Sequence, residues 1–208
     1  MTVGFWERHV VPRAIEVVLS GKDMAAARAT VCEGLTGRVL EIGFGSGMNT
    51  DFYPSEVISV GAVEPNDLGW RMSDKRRRLA DVRIERVGLE GERLEAKDDS
   101  YHCVLSTFTL CTIPDVRAAL REVRRVLLPG GSLHFLEHGL APTPGVVRWQ
   151  RRLEPLQKRA AAGCHLTRDI PALVAEAGLE LAELRQEYLP RPGATKPWTY
   201  VSVGRAVA

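Results

Sequence analysis

The fold class predicted is α/β: a Rossmann-like, doubly wound, mostly parallel sheet ending in an antiparallel hairpin. Three observations predict it. Apolar, β-rich runs alternate with stretches of helical periodicity, the pattern of βαβ units. A glycine-rich loop, "EIGFGSGMNT" (41–50), follows the first apolar run directly. Near the end of the chain the alternation stops, and two strand-like runs follow one another with no helix between them, so they must pair antiparallel.

Each element has its own justification. Strands are expected at 38–42, 57–63, 82–87, 103–107 and 132–137, and helices at 66–79 and 115–128. In the second helix Val116, Ala119, Leu120, Val123, Val126 and Leu127 share one stripe, with Arg117, Arg121, Glu122, Arg124 and Arg125 largely outside it. The helix should stop at "LLPGG", where Pro129 cannot continue it and two glycines supply a turn. Thr167 or Asp169 can cap a further helix that tolerates Pro171 in its first turn and ends at Gly178. Runs 179–189 and 198–207 form the hairpin, closed by "PRPGATKP", and helical stretches at 5–20 and 24–32 precede the sheet. The expected organisation is one domain over 1–208: an N-terminal helical lid (1–35), a cofactor-binding core (36–140), a substrate-side insertion (141–166), and a C-terminal helix with hairpin (167–208).

Composition narrows the function classes. A chain of 208 residues fits one domain with additions. A formal charge of +2 does not by itself point to nucleic acid, and the basic run "DKRRRLADVR" (74–83) lacks interleaved aromatics, so no nucleic-acid partner is expected. No run approaches the length of a membrane span and the start does not resemble a signal peptide, which predicts a cytoplasmic protein. Cys32, Cys103, Cys111 and Cys164 are widely spaced, with neither a C-x-x-C pair nor a zinc-like pattern; reduced thiols and no metal are expected. Composition fixes no oligomeric state.

The glycine loop is the strongest chemical signal. Glycine serves where a chain takes positive φ or approaches a ligand closely. Gly43, Gly45 and Gly47 give G-x-G-x-G; the dinucleotide fingerprint needs a third glycine where Met48 stands, and no Walker Gly-Lys-Ser/Thr follows. Glu64, about twenty residues on at the end of the next strand, can accept hydrogen bonds from both hydroxyls of a ribose. Glu41 adds negative charge beside the loop, which suits a cationic ligand and would repel phosphate.

With these residues the sequence resembles the class I S-adenosylmethionine-dependent methyltransferases, over most of its length. "VLEIGFGSG" looks like their first motif, "AVEPN" like their second-strand acid, and "REVRRVLLPGGSLHFLEH" like their approach to the fifth strand. The resemblance implies S-adenosyl-L-methionine as cofactor. Glu41, Gly43, Gly45, Gly47 and Asn49 would line its methionine and ribose part, Glu64 with Pro65 the ribose, Leu89 and Glu90 the adenine, and Thr107 the inner wall. Many members have Asp-Ala where this chain has Glu90-Gly91. A narrower set, "FWERHVVPR", "STFTLCTI", "LEHGLAP", "RWQRRLEPLQKR" and "GCHLTRDI", resembles bacterial relatives of the mammalian membrane-anchored alkyl-thiol methyltransferases. That implies a small-molecule acceptor, first of all a thiol or sulfide. A quinone-like or phospholipid acceptor is the alternative within the class, and an adenosine-ligand binding protein without turnover the alternative outside it.

A thiol with a pKa of roughly 8.5 is already partly thiolate near neutrality, so S-methylation needs no strong base. The candidates therefore carry two readings each. His138, after the fifth strand, can act as a base or orient the acceptor, or it can hydrogen-bond the next turn. His165 is either substrate-facing or a capping imidazole. Cys164 is a candidate substrate contact that reads first as a packed thiol, and Cys111 reads as core. Trp6 and Trp149 either wall the pocket or pack. The basic segment 148–159 is expected to be a lid over the acceptor, with peripheral membrane contact as the less favoured reading.

Overall fold

The computed structural model describes residues 9–190 and 193–208. Strands β1 (Gly37–Ile42), β2 (Val57–Val63), β3 (Arg83–Gly88), β4 (Tyr101–Thr107), β5 (Leu127–His138), β6 (Glu180–Tyr188) and β7 (Tyr200–Val207) form one seven-stranded sheet in the order β3-β2-β1-β4-β5-β7-β6. The first five run parallel; β7 is antiparallel to both β5 and β6. The expected fold class and terminal hairpin are therefore both present. β1 is buried at every position but Arg38, as a central parallel strand covered on both faces must be. β6 is the opposite case, a largely exposed edge carrying Glu183, Arg185 and Glu187, charges that discourage pairing with another chain.

Helices α1 (Val11–Val18), α2 (Lys22–Cys32), α3 (Asp67–Met72), α4 (Asp74–Leu79), α5 (Val116–Val126), α6 (Pro144–Ala160), α7 (Ile170–Glu176) and α8 (Lys196–Thr199) complete the chain. One core lies under α5 and α7, where Val116, Leu120, Val123 and Val126 meet Leu40, Val104, Leu133 and Phe135. The Asp115 side chain caps α5 by accepting from the Ala118 amide. Truncating the fully buried Leu120 to alanine should cost about 2–5 kcal/mol. The second core lies on the other face, where Met24, Ala27, Val31 and Cys32 of α2 pack on Val39, Leu105 and Leu136.

Several boundaries differ from expectation. The helix expected over 66–79 is two, because the Ser73 hydroxyl donates to the Trp70 carbonyl and accepts from Arg77 Nε, and α3 and α4 meet there. The helix expected to run to 128 ends at Val126, and β5 starts at once. Tyr101 pairs with Leu127 while Cys103 pairs with Ser132, so "LPGG" is a bulge inside the strand and not a separate turn. Gly130 has φ +78°, and a Cβ on Gly131 would sit 2.9 Å from the His102 carbonyl. The hairpin loop folds into α8, so β7 begins at Tyr200 instead of 198. Of the first helix, Val11–Val18 is α-helical, and residues 1–8, with Trp6, lie outside the described residues.

The insertion at 141–166 is mainly α6. Its buried anchor is Gln150, which accepts from the Ala141 amide and donates to the carbonyls of Gly139 and Pro197. No helix among the described residues is long and apolar enough to cross a membrane.

Candidate active site

The strand order reverses direction between β1 and β4, and in open α/β sheets ligands bind at the strand carboxyl ends beside such a switch point. The loop after β1 is the glycine loop. Gly43, Gly45 and Gly47 have φ of +76°, +57° and +75°, values that L side chains rarely adopt. At Gly43 space is also decisive: an added Cβ would lie 1.9 Å from Thr109 Oγ1. At Gly45 it would meet nothing nearer than 3.9 Å, so the backbone there is open to a ligand. Glu64, at the end of β2, grips this loop. Its Oε2 accepts from the Gly45 amide at 2.6 Å and its Oε1 from the Asn66 amide at 2.7 Å. Burial raises its pKa against the lowering effect of these two amides. A carboxylate offers about four acceptor sites, so two remain for hydroxyl donors.

Beneath the loop lies a buried polar cluster. Asn49 Nδ2 donates to Glu41 Oε1 at 2.9 Å and to Thr107 Oγ1 at 3.0 Å; the Tyr53 hydroxyl donates to Glu41 Oε2. Arg28 from α2 reaches Asn49 Oδ1 at 2.7 Å and Thr107 Oγ1 at 3.2 Å, and its Nε is buried without a partner. Burial pushes the Glu41 carboxyl up to about 7, although Tyr53, Asn49 and Arg28 favour its charged form. Arg28 and Tyr53 were not anticipated. Periodicity could have found Arg28, since it shares the buried stripe of Met24, Ala27, Val31 and Cys32. Glu16 of α1 accepts from Ser46 of the glycine loop and pairs with Arg76 at 2.7 Å.

A second carboxylate grips the loop after β4. Glu137 is fully buried; its Oε1 accepts from Ser106 Oγ and from the amides of Thr109 and Leu110, and its Oε2 from the amide of Cys111. Burial raises its pKa and those four donors oppose the rise. Phe108, at φ +53°, turns the chain out of β4 into this loop. Glu137 too was missed; an acid inside the apolar run "SLHFLEH" was the available signal.

His138, the next residue, packs against Phe108 with the rings tilted by 51° and their centroids 4.7 Å apart. Its Nδ1 lies 3.9 Å from Cys111 Sγ and 3.7 Å from Cys164 Sγ, and the two sulfurs are 3.7 Å apart. Both thiols are buried. The hydrogen bond between the two thiols and the neighbouring His138 hold the Cys164 thiol down at about 4 against the effect of burial, while the Cys111 thiol is pushed up by Cys164 and by burial. Cys111 and Cys164 are packed thiols, as expected, and they are packed on one another: segments 27 and 26 residues from His138 converge. His165 does not join them through its ring. Its Nδ1 faces Glu154 Oε1 at 3.3 Å, and its pKa is lowered by burial and by Arg168 and Lys158. Trp149 is 55% exposed on α6, with Arg152 over its ring. Pro65, Leu89 and Glu90 are exposed beside the ends of β2 and β3.

The residues fit an adenosine sulfonium ligand. The loop is open at Gly45, a ribose acceptor stands at Glu64, and buried Glu41 and the unpaired Arg28 Nε offer charges of both signs beneath. Residues 40–135 match the family model described as "Methyltransferase domain". The chain is similar to the thiol S-methyltransferase TMT1B of Rattus norvegicus, 36% identical over 177 residues covering 81% of this chain and 70% of that protein. It is also 35% identical to the thiol S-methyltransferase TMT1B of Homo sapiens, over 84% of this chain and 74% of the relative. Among solved structures, the putative methyltransferase in complex with the Haloferax volcanii Trm112 methyltransferase activator superposes with a TM-score of 0.71 over 98% of this chain and 96% of that one, at 16% identity, which speaks to the fold. Fold and site define an S-adenosylmethionine-dependent methyltransferase of class I. Within that class the chain belongs to the family of the thiol S-methyltransferases just described.

Proposed function

We propose that this protein transfers the methyl group of S-adenosylmethionine to the sulfur of a small thiol or sulfide. The observation that carries this reading is the chemistry at the acceptor side. The carboxylate nearest the loop after β4, Glu137, is saturated by four donors and cannot serve as a base, and the exposed-side group beside it is an imidazole among sulfurs. A carbon or hydroxyl acceptor would need a base; a thiol near its pKa does not. The similarity to the rat and human thiol S-methyltransferases supports the same choice.

In this reading Gly43, Gly45, Gly47 and Asn49 cradle the cofactor's amino-acid end, with Arg28 as the cation for its carboxylate. Glu64 accepts the ribose hydroxyls beside Pro65, and Leu89 and Glu90 flank the adenine. Glu41 and Thr107 set the field beneath the sulfonium, which supplies an activated methyl group when bound. The protein's own work is alignment and exclusion of water. His138 orients the acceptor, His165 ties α6 to the loop after it through Glu154, and α1 and α6 cover the site. The four reduced cysteines suit a cytosolic setting.

The test is S-adenosylhomocysteine formation by the purified protein with sulfide, alkyl thiols, a quinol or phosphatidylethanolamine as acceptor. Turnover with the thiols is expected. Turnover confined to quinol or lipid would overturn the acceptor assignment.

A further inference from the structure

We propose that Cys111, His138 and Cys164 form a three-ligand site for a thiophilic divalent cation of the zinc class, with its fourth position open to an exogenous sulfur ligand. Among the described residues this is the group of His, Cys, Asp or Glu donors gathered closely enough for such a role, its ligand atoms all within 4.8 Å of one another. The geometry is what carries it. Zinc–sulfur bonds of about 2.3 Å and zinc–nitrogen bonds of about 2.0–2.1 Å at tetrahedral angles place sulfurs about 3.8 Å apart and sulfur and nitrogen about 3.5 Å apart. The edges found are 3.7 Å between the sulfurs, and 3.7 and 3.9 Å from them to Nδ1. One face of a tetrahedron is therefore laid out to within a few tenths of an ångström. A disulfide would need the sulfurs at about 2.05 Å.

The donors are also held from behind. The Cys111 amide is fixed by Glu137 and its carbonyl accepts from the His165 amide at 2.8 Å, which joins the two cysteine segments. Cys164 is delivered by two successive left-handed residues, Ala162 at φ +48° and Gly163 at φ +85°, a conformation a non-glycine residue adopts at a cost. His138 is wedged against Phe108. Two thiolates neutralise a divalent cation, which suits a buried site, and two sulfurs with one imidazole select zinc over magnesium or calcium. Three protein ligands with one free position is the pattern of catalytic and not structural zinc.

The consequence for turnover rests on the thiol reading above. An acceptor thiol that ligates the cation loses its proton to solvent and stays nucleophilic as a bound thiolate. Its lone pair then forms the new carbon–sulfur bond, while the electrons of the broken sulfonium bond remain on S-adenosylhomocysteine. The cation keeps its charge throughout. The loop bearing Cys111 also bears Thr109, which packs against Gly43, so the site adjoins the cofactor loop.

The probe is Co²⁺, titrated into metal-free protein kept reduced with a phosphine. The expected result is saturation at a single equivalent with sulfur-to-cobalt charge transfer and the visible bands of a tetrahedral centre, displaced by Zn²⁺, and perturbed by an alkyl thiol. C111S, C164S and H138Q should each weaken binding by more than about tenfold, with C32S as the control and circular dichroism to confirm folding. Absence of the spectrum in folded, reduced protein would overturn the site, as would its survival in C164S and H138Q together or a Cys111–Cys164 disulfide in protein that takes up no metal. Metal binding without thiol turnover would instead defeat the function proposed above, and thiol turnover without metal binding would defeat only this site.

Discussion

The loops after β1 and β4 are built on the same plan and serve different ends. Each leaves the carboxyl end of a parallel strand, and each is gripped by a buried carboxylate from the end of a neighbouring strand, Glu64 just after β2 in one case and Glu137 of β5 in the other. Glu64 accepts two backbone amides and keeps acceptor capacity, at 6% exposure, for something outside the protein. Glu137 is wholly enclosed, with three amides and a hydroxyl on it. A carboxylate with spare lone pairs makes a binding site; one with none makes a scaffold.

That contrast can be broken by substitution. The largest effect should come from Glu137→Ala, which strands two buried amides, a part-buried one and a buried hydroxyl and should cost about 3–5 kcal/mol of stability. Urea unfolding measures it, and a loss below about 1 kcal/mol would mean the loop after β4 does not depend on this grip. Next comes Gly43→Ala, which forces a residue with a side chain to φ +76° and against Thr109. Cofactor affinity should fall on the order of 30–100-fold, about 2–3 kcal/mol, and Thr109→Gly in the same chain should recover part of it. A full recovery would show that crowding and not backbone conformation dominates.

Glu64→Gln should do to binding what Glu137→Ala does to folding. Loss of charged acceptors for the ribose should cost about 1.5–3 kcal/mol in cofactor affinity by calorimetry, with little change in unfolding midpoint. Equal losses in stability at both positions would erase the distinction between the two carboxylates.

The smallest effect is a pH dependence at Glu41. Its folded pKa, about 7, lies above the ordinary 4.5, so the stability it contributes is fully present below about 4.5 and lost as pH rises through about 7. A cationic ligand reverses the preference by stabilising the ionised form. Cofactor affinity should therefore rise a few-fold as pH passes upward through about 7, and E41Q should bind with a flat profile over the same range.

The difference between the two loops also explains what the sequence could and could not tell. The glycine loop is local: its three glycines lie within five residues, Glu64 follows at the end of the next strand, and Glu41 adds charge beside them, so spacing and residue type together pointed to a ribose-bearing cation. The parallel core and terminal hairpin were legible for the same reason, since periodicity is a short-range signal. The loop after β4 is long-range. Glu137 meets amides 26 to 28 residues away, and Cys111, His138 and Cys164 come from three separate elements, so neither a spacing rule nor a residue-type rule brings them together. Trp149 was read as packed or pocket-walling, and its exposure on α6 is a tertiary fact that spacing does not carry. Boundaries slipped where side chains compete with the backbone, as at Ser73, or where a bulge replaces a turn, as at Gly130.

The most direct measurement is the fate of the methyl group. The protein should be incubated with S-adenosylmethionine carrying a deuterated methyl and a single alkyl thiol, and the products resolved by mass spectrometry. Transfer of the intact labelled methyl to the thiol sulfur, in step with S-adenosylhomocysteine and lost in Glu64→Gln at limiting cofactor, is the predicted result. Label appearing on carbon, oxygen or nitrogen acceptors but never on sulfur would contradict thiol methylation.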